Sequence, residues 1–319
     1  MKTPLFSGVC TAMVTPFLHG NVNYPMAEQL LRRQMEAGIK AVILAGTTGE
    51  APTLSDAEKL ELFRRGKQYA GNDCLIIAGT GSNDTAHAVA LGMAAEDAGA
   101  DALLVVTPYY NKATPDGLLS HYLAISQAVT IPIIIYNVPS RTCVNISVEV
   151  CSQLAHIPNI VGIKEAGTDI TKVTRLKNAC GQDFSVWSGN DDLTVPTIAL
   201  GGQGVISVAS NVAPVEMSSM TNAALAGDFD TAADLQQQLQ ELHDLMFCEV
   251  NPIPVKAALK CMGFDCGGCR LPLCSLTDAN QRKIASYFLK RTRTAHAVRS
   301  NYGSKPSKIG IHPSLMALS

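Results

Sequence analysis

The chain reads as an α/β protein, a (β/α)8 TIM barrel with a small C-terminal helical appendix, and three observations lead there. Eight short apolar runs recur along the sequence, most of them about 25 to 33 residues apart, which is room for one strand, one helix and two loops each. Several runs are apolar almost throughout instead of alternating, as strands covered on both faces should be. Helical patterns with start and stop signals fill the intervals. A doubly wound open sheet is the alternative that these features leave open.

The predicted strands are 8–14, 41–45, 74–78, 102–106, 131–136, 160–164, 184–187 and 204–208. Ser55-Asp56-Ala57-Glu58 is a capping box opening a helix over 59–65, with Gly66 where a stop would fall. The stretch 85–98 is small and Ala-rich and ends at Gly99, and 116–128 and 146–155 continue the alternation. After Pro214 the strand signal stops. A helix over 215–226 closes the barrel, and helices over 231–247, 254–262 and 278–289 form the appendix. This gives a barrel over 1–227, a helical domain over 228–289 and a tail over 290–319. The tail carries Lys290, Arg291, Arg293, Arg299, Lys305 and Lys308 with no acidic residue, and it is polar and aperiodic, so it is expected to be disordered. Residues 1–289 then hold 19 basic against 27 acidic residues, a net −8.

Apolar residues make up 47% of the 319 and charged residues 16%, which describes a globular protein with a substantial interior. A net charge of −2 gives no sign of a nucleic-acid partner. No apolar run approaches the roughly 20 residues of a membrane span. Met1-Lys2-Thr3-Pro4 lacks a secretory segment, so the expected location is the cytoplasm. Of ten cysteines, Cys10, Cys74, Cys143, Cys151, Cys180 and Cys248 are scattered where small apolar residues would fit, as reduced core thiols. Cys261, Cys266, Cys269 and Cys274 form a C-x4-C-x2-C-x4-C array, whose opening follows one iron–sulfur spacing and which zinc could also use. The array straddles a helix end and a Gly-Gly turn, so the plainer reading is chance and no metal is assigned.

In a barrel of this type the site lies at the C-terminal ends of the strands. Those ends read Gly46-Thr47-Thr48-Gly49-Glu50, Gly79-Thr80-Gly81, Thr107-Pro108-Tyr109-Tyr110-Asn111, Tyr136-Asn137-Val138-Pro139-Ser140-Arg141, Lys164-Glu165 and Ser188-Gly189-Asn190-Asp191. Hydroxyls and glycines thus gather at one end, as a small oxygenated anion requires. Lys164 closes an apolar run, and burial favours the neutral, nucleophilic form of a lysine amine. Tyr136 at the preceding strand end could pass protons to whatever that amine attacks, which points to Schiff-base chemistry on a small keto acid. Gly46–Gly49 could hold a carboxylate through hydroxyls and backbone N–H groups, and Arg141 could clamp a second one. Each has a plainer reading: a snorkelling strand-end lysine, a structural tyrosine, an ordinary turn, a solvated arginine. Dinucleotide and P-loop readings fail, because Gly79-Thr80-Gly81-Ser82-Asn83-Asp84 lacks a third glycine and no G-x-x-x-x-G-K-[ST] occurs.

Taken together, Gly46–Glu50, Thr107–Asn111, the run from Tyr136 to Thr142, Gly162-Ile163-Lys164-Glu165, Gly204-Val205-Ile206-Ser207 and Asn251-Pro252-Ile253-Pro254-Val255-Lys256 resemble the dihydrodipicolinate synthase family. The similarity runs in order from about Phe6 to Leu289. Broader relatives are class I pyruvate lyases such as N-acetylneuraminate lyase, and Arg141 with the doubled threonine favours the synthases. The resemblance implies condensation of pyruvate with L-aspartate β-semialdehyde in lysine and diaminopimelate biosynthesis, with no metal or organic cofactor. It implies Lys164 as Schiff-base nucleophile, Tyr136 as proton donor and acceptor, and Thr47 and Tyr110 as the rest of a relay. Tyr110 is then contributed across a dimer interface of a homotetramer. Thr48, the Ile206 backbone and Gly189 bind substrate, and Arg141 holds the semialdehyde carboxylate. In the family's lysine-inhibited members Asn83 and Tyr109 find counterparts, but His87 stands where a carboxylate should grip the effector ammonium and Lys59 where a histidine does. Weak or absent lysine inhibition is therefore expected. Rival readings are another pyruvate aldolase of this fold, such as a 2-keto-3-deoxy sugar acid aldolase, and a non-catalytic keto-acid sensor or iron–sulfur protein using the cysteine array.

Overall fold

A computed structural model of the chain describes residues 3–302, with side chains through 291. Eight parallel strands close into a barrel: β1 (Gly8–Ala12), β2 (Ala41–Leu44), β3 (Leu75–Gly79), β4 (Ala102–Val106), β5 (Ile133–Asn137), β6 (Ile160–Glu165), β7 (Ser185–Ser188) and β8 (Gly204–Ser207). Each strand pairs with its sequence neighbours, and β8 returns to β1 with Gly8 opposite Gly204 and Thr11 opposite Ser207. Closure leaves no sheet edge and excludes the open doubly wound alternative.

The apolar runs are continuous because both faces of each strand are covered. Cys10, Ala12, Ile43, Ile77, Leu104, Ile134 and Ile206 point into the barrel. Their alternates Val9, Val42, Ile76, Leu103, Val105, Ile135 and Val205 pack under the helices. Trp187 is fully buried, stacks on Phe6 with centroids 4.6 Å apart, and donates its indole N–H to the Phe6 carbonyl at 3.2 Å. Because Phe6 precedes β1, this pair fills the N-terminal end and leaves the opposite mouth for chemistry. Gly79 at that mouth admits no side chain, since a Cβ would lie 2.2 Å from the Ala45 carbonyl oxygen.

The barrel helices are α1 (Tyr24–Glu36), α2 (Asp56–Ala70), α3 (Thr85–Asp97), α4 (Pro115–Ala128), α5 (Pro139–Thr142), α6 (Val148–Leu154), α7 (Thr171–Cys180), α8 (Thr194–Ala199) and α9 (Pro214–Leu225). The capping box opens α2: Ser55 Oγ accepts from Glu58 N at 3.2 Å while Glu58 Oε2 accepts from Ser55 N at 2.9 Å. Neither α1 nor α7 stands out in the sequence, because their buried faces mix polar with apolar residues: Gln34 beside Leu30 and Leu31, Lys172 and Lys177 beside Val173 and Leu176. A short ribbon, Phe17–Leu18 against Asn21–Val22, follows β1.

The appendix comprises α10 (Phe229–Met246), α11 (Ile253–Cys261) and α12 (Asp278–Tyr302). The last helix corrects the sequence boundary at Leu289, since it carries the first part of the supposedly disordered tail. No Gly or Pro interrupts the chain from Asp278 to Tyr302, and the lysines and arginines that suggested disorder are also good helix formers. Residues 303–319 lie outside the described residues. No helix among the described residues is long and apolar enough to cross a membrane.

Candidate active site

Lys164 is the inward-facing residue near the end of β6, opposite Tyr136 of β5 on one side and Trp187 of β7 on the other. It is 5% exposed, and its Nζ lies 4.3 Å from the centre of the Tyr136 ring. Both line a cavity of about 840 Å³ at the C-terminal mouth, along with Thr47, Thr48, Arg141, Gly189 and Asn251. Gly189 has to be glycine: a Cβ would stand 2.5 Å from the Ala166 Cβ and 3.1 Å from Lys164 Cε. Its absence gives the lysine stem its channel. Cys10, behind Lys164, is no rival nucleophile, because burial pushes its thiol well above the usual range.

The turn after β2 is held from the appendix. Thr48 Oγ1 accepts a hydrogen bond from Asn251 Nδ2 at 3.0 Å, and the Asn251 carbonyl accepts one from Arg141 Nη2 at 3.3 Å. Glu50 adopts the left-handed conformation, φ 58°, at a cost of order 1–2 kcal/mol for a residue with a Cβ. Its side chain is fully buried, with Lys256 Nζ at 2.5 Å from Oε1 and Arg270 N donating to Oε2 at 2.9 Å. The Arg270 guanidinium meanwhile grips Glu58 through both nitrogens. That contact holds the Glu58 carboxyl down at about 2. Helix α11 and the loop after it thus fix the backbone on which Thr47 and Thr48 sit. The sequence offered a motif at Asn251–Lys256 but no role for it, because the partners are about 200 residues apart and only folding brings them together.

Glu165, next to Lys164, is turned to the outer face of the barrel and fully engaged. It accepts from Asn137 Nδ2 at 2.8 Å and Gly167 N at 2.7 Å, and pairs with Lys172 at 2.9 Å. Arg141 sits on α5, and its exposed side chain lines the cavity. Ile206 is fully buried in the barrel wall and its side chain does not line the cavity. Tyr110 is not brought to Lys164 either: it is 88% exposed on the loop after β4.

A second cavity of about 450 Å³ shares Thr47, Tyr136 and Arg141 with the first and continues to Asp56, Lys59, His87 and Tyr109. The sequence reading put His87 where an effector-binding carboxylate is expected and Lys59 where a histidine is. Between them stands Asp56, 3.3 Å from Lys59 Nζ and 2.8 Å from His87 Nε2. Partial burial raises the Asp56 carboxyl, but hydrogen bonds from His87 and Lys59 outweigh that and hold it below the ordinary value.

The four clustered cysteines do not share one environment. Cys261 and Cys266 belong to the core, Cys269 is half-buried and Cys274 exposed. Burial pushes the Cys266 thiol to about 12 and the Cys269 thiol to about 11. Among the described residues, no group of three or more His, Cys, Asp or Glu is placed to hold a metal ion. Of the scattered cysteines, Cys143 departs from the expected core thiol, being exposed at the end of α5.

A buried lysine under the open mouth of a (β/α)8 barrel, with a tyrosine over its amine, is the architecture of a Schiff-base lyase. Comparison with known proteins agrees. The profile of the Dihydrodipicolinate synthetase family matches residues 5–290. The 4-hydroxy-tetrahydrodipicolinate synthase of Thermoanaerobacter sp. (strain X514) is 45% identical over 90% of this chain and 97% of its own. That of Fervidobacterium nodosum is 48% identical over 84% and 92%. The crystal structure of dihydrodipicolinate synthase from Aquifex aeolicus superposes with a TM-score of 0.89 at 42% identity, covering 90% of this chain and 98% of the other. The chain belongs to the dihydrodipicolinate synthetase family.

Proposed function

We propose that this chain condenses pyruvate with L-aspartate β-semialdehyde to give 4-hydroxy-tetrahydrodipicolinate, through an imine on Lys164. The observation that carries this reading is the Lys164 amine, buried at the barrel mouth 4.3 Å from the Tyr136 ring. The amine adds to C2 of pyruvate, and water leaves with a proton supplied through Tyr136. Loss of a C3 proton gives the enamine, whose C3 attacks the aldehyde carbon, and the resulting alkoxide takes a proton back. The amine of the second substrate then adds to the imine carbon, closing the ring and releasing Lys164. Thr48 and the Ile206 backbone bind pyruvate beside Gly189, Thr47 belongs to the proton relay, and Arg141 holds the second carboxylate.

On this reading Tyr136 and Thr47 carry the relay within the chain and Tyr110 completes it from a second copy. Tyr110, exposed at the rim, is suited to enter the mouth of a second copy, which supports a dimer with shared sites and, from two such dimers, a tetramer. The enzyme works without leaving the cytoplasm on this reading. Borohydride added with pyruvate should inactivate the protein and add the mass of a reduced pyruvyl group at Lys164. A Lys164→Ala variant that keeps full activity sinks the mechanism. Sialic acid and 2-keto-3-deoxy sugar acids are the contrast substrates and should not turn over.

A further inference from the structure

Two members of the cysteine array flank one turn. Leu273 N donates to the Arg270 carbonyl at 3.1 Å, which closes a two-residue turn over Leu271 and Pro272. Cys269 and Cys274 are the residues immediately outside it. Chain segments leaving such a turn run side by side, and opposed residues that exchange no backbone hydrogen bond lie about 4.5 Å apart at Cα. A disulfide spans about 4.4–6.8 Å between Cα atoms. The two thiols are close enough to feel each other's charge: burial, then the Glu50 carboxylate, push the Cys269 thiol up to about 11, and Cys274 adds to the shift. Leu271 at the tip is 83% exposed and Cys274 is exposed too, so a small reagent reaches the pair from solvent.

We propose that Cys269 and Cys274 form a reversible disulfide, made by exchange with a small-molecule disulfide such as oxidised glutathione, that locks the loop anchoring Glu50. Cys269 lies between two anchored residues. The Gly268 carbonyl accepts from Lys256 Nζ at 3.0 Å, and Arg270 donates its N–H to Glu50 Oε2 at 2.9 Å and its guanidinium to the Gly20 and Thr53 carbonyls at 2.7 Å. One thiol is therefore held in place and the other is open to solvent, which sets the order of events. The Cys274 sulfur attacks oxidised glutathione, breaking its S–S bond, and one glutathione thiol leaves. The Cys269 sulfur then attacks the Cys274 sulfur, and the second glutathione leaves. Two protein thiols are oxidised, one glutathione disulfide is reduced, and each departing thiol carries the proton of the thiol it replaces. Cys261 and Cys266 belong to the core and take no part.

The test equilibrates the full chain, as wild type, C274S and C269S, with mixtures of oxidised and reduced glutathione, quenches free thiols by alkylation and maps the peptides without reduction. Wild type should yield one linked peptide pair, Cys269 to Cys274, with the mass of two hydrogens lost, and dithiothreitol should reverse it. C274S should leave Cys269 a free thiol, whereas C269S should stop at a glutathione mixed disulfide on Cys274. Closing so short a loop should raise the thermal midpoint of oxidised wild type by about 2–6 °C over its reduced form, with no such rise in C274S, whose exposed substitution leaves folding intact. Glutathione that stays on Cys274 of wild type while Cys269 remains free overturns the proposal. So does a link to any other cysteine in place of this one, or a Cys269–Cys274 link that leaves the midpoint unchanged. None of these readouts depends on turnover, so they stand or fall separately from the function proposed above.

Discussion

At the scale of single residues, the site works by controlling which polar groups remain unpaired. Glu165 follows Lys164 in the chain, yet β-strand alternation sends its carboxylate to the opposite face, where Asn137, Gly167 and Lys172 absorb it. The Lys164 amine lies beside the aromatic face of Tyr136. In the adjoining cavity Asp56 occupies both Lys59 and His87, so neither a free carboxylate nor an uncharged wall meets an incoming amino-acid cation. A cation there must compete with Lys59 for Asp56, at a cost near 1 kcal/mol or more in partly screened surroundings. Millimolar lysine should therefore leave initial rates unchanged. Half-inhibition at submillimolar lysine counts against this reading.

At the scale of elements, the decisive contact is between the turn after β2 and helix α11. A buried Lys256–Glu50 pair fixes a turn whose left-handed Glu50 would otherwise relax, and the pair is surrounded by the Arg270 backbone and the Phe17 ring. Removing one member of a buried pair strands the other, typically at 3–5 kcal/mol. Lys256→Met should lower the thermal midpoint markedly and raise the pyruvate KM more than it lowers kcat, because Thr47 and Thr48 ride on that turn. The double variant with Glu50→Gln should recover part of the stability. Steady-state kinetics beside a melting curve will separate these effects, and an unchanged pyruvate KM in Lys256→Met argues against the coupling.

At the scale of the whole molecule, the proposed role of Tyr110, which is exposed on its loop, requires a second copy of the chain. Two defective copies should therefore rescue each other. In a mixed dimer of Lys164→Ala and Tyr110→Phe chains, one site has Lys164 from its own chain and Tyr110 from the other. Random mixing of the two should restore about a quarter of wild-type activity if the dimer is symmetric. No recovery after confirmed subunit exchange means that Tyr110 acts within its own chain or not at all.

Much was legible in the sequence, because a parallel barrel writes itself as regularly spaced, two-sided apolar runs, and because strand ends are where its chemistry must sit. Lys164, Tyr136 and the Gly46–Gly49 turn are picked out as candidates by that rule, and their combination is what sets them apart from a snorkelling lysine, a structural tyrosine and an ordinary turn. Helices α1 and α7 were hidden by polar residues on buried faces, and α5 by its brevity. The extent of α12 was hidden by charges that disordered tails and helix surfaces share. By itself, then, the sequence determined the architecture and singled out Lys164 and Tyr136 as candidates, since both readings depend on local periodicity and on burial at a strand end. Only the tertiary structure decided what holds Thr48 and what pairs with Lys59 and His87. Those outcomes depend on hydrogen bonds between groups far apart in the chain, and no local pattern of residues records which distant donor reaches which acceptor.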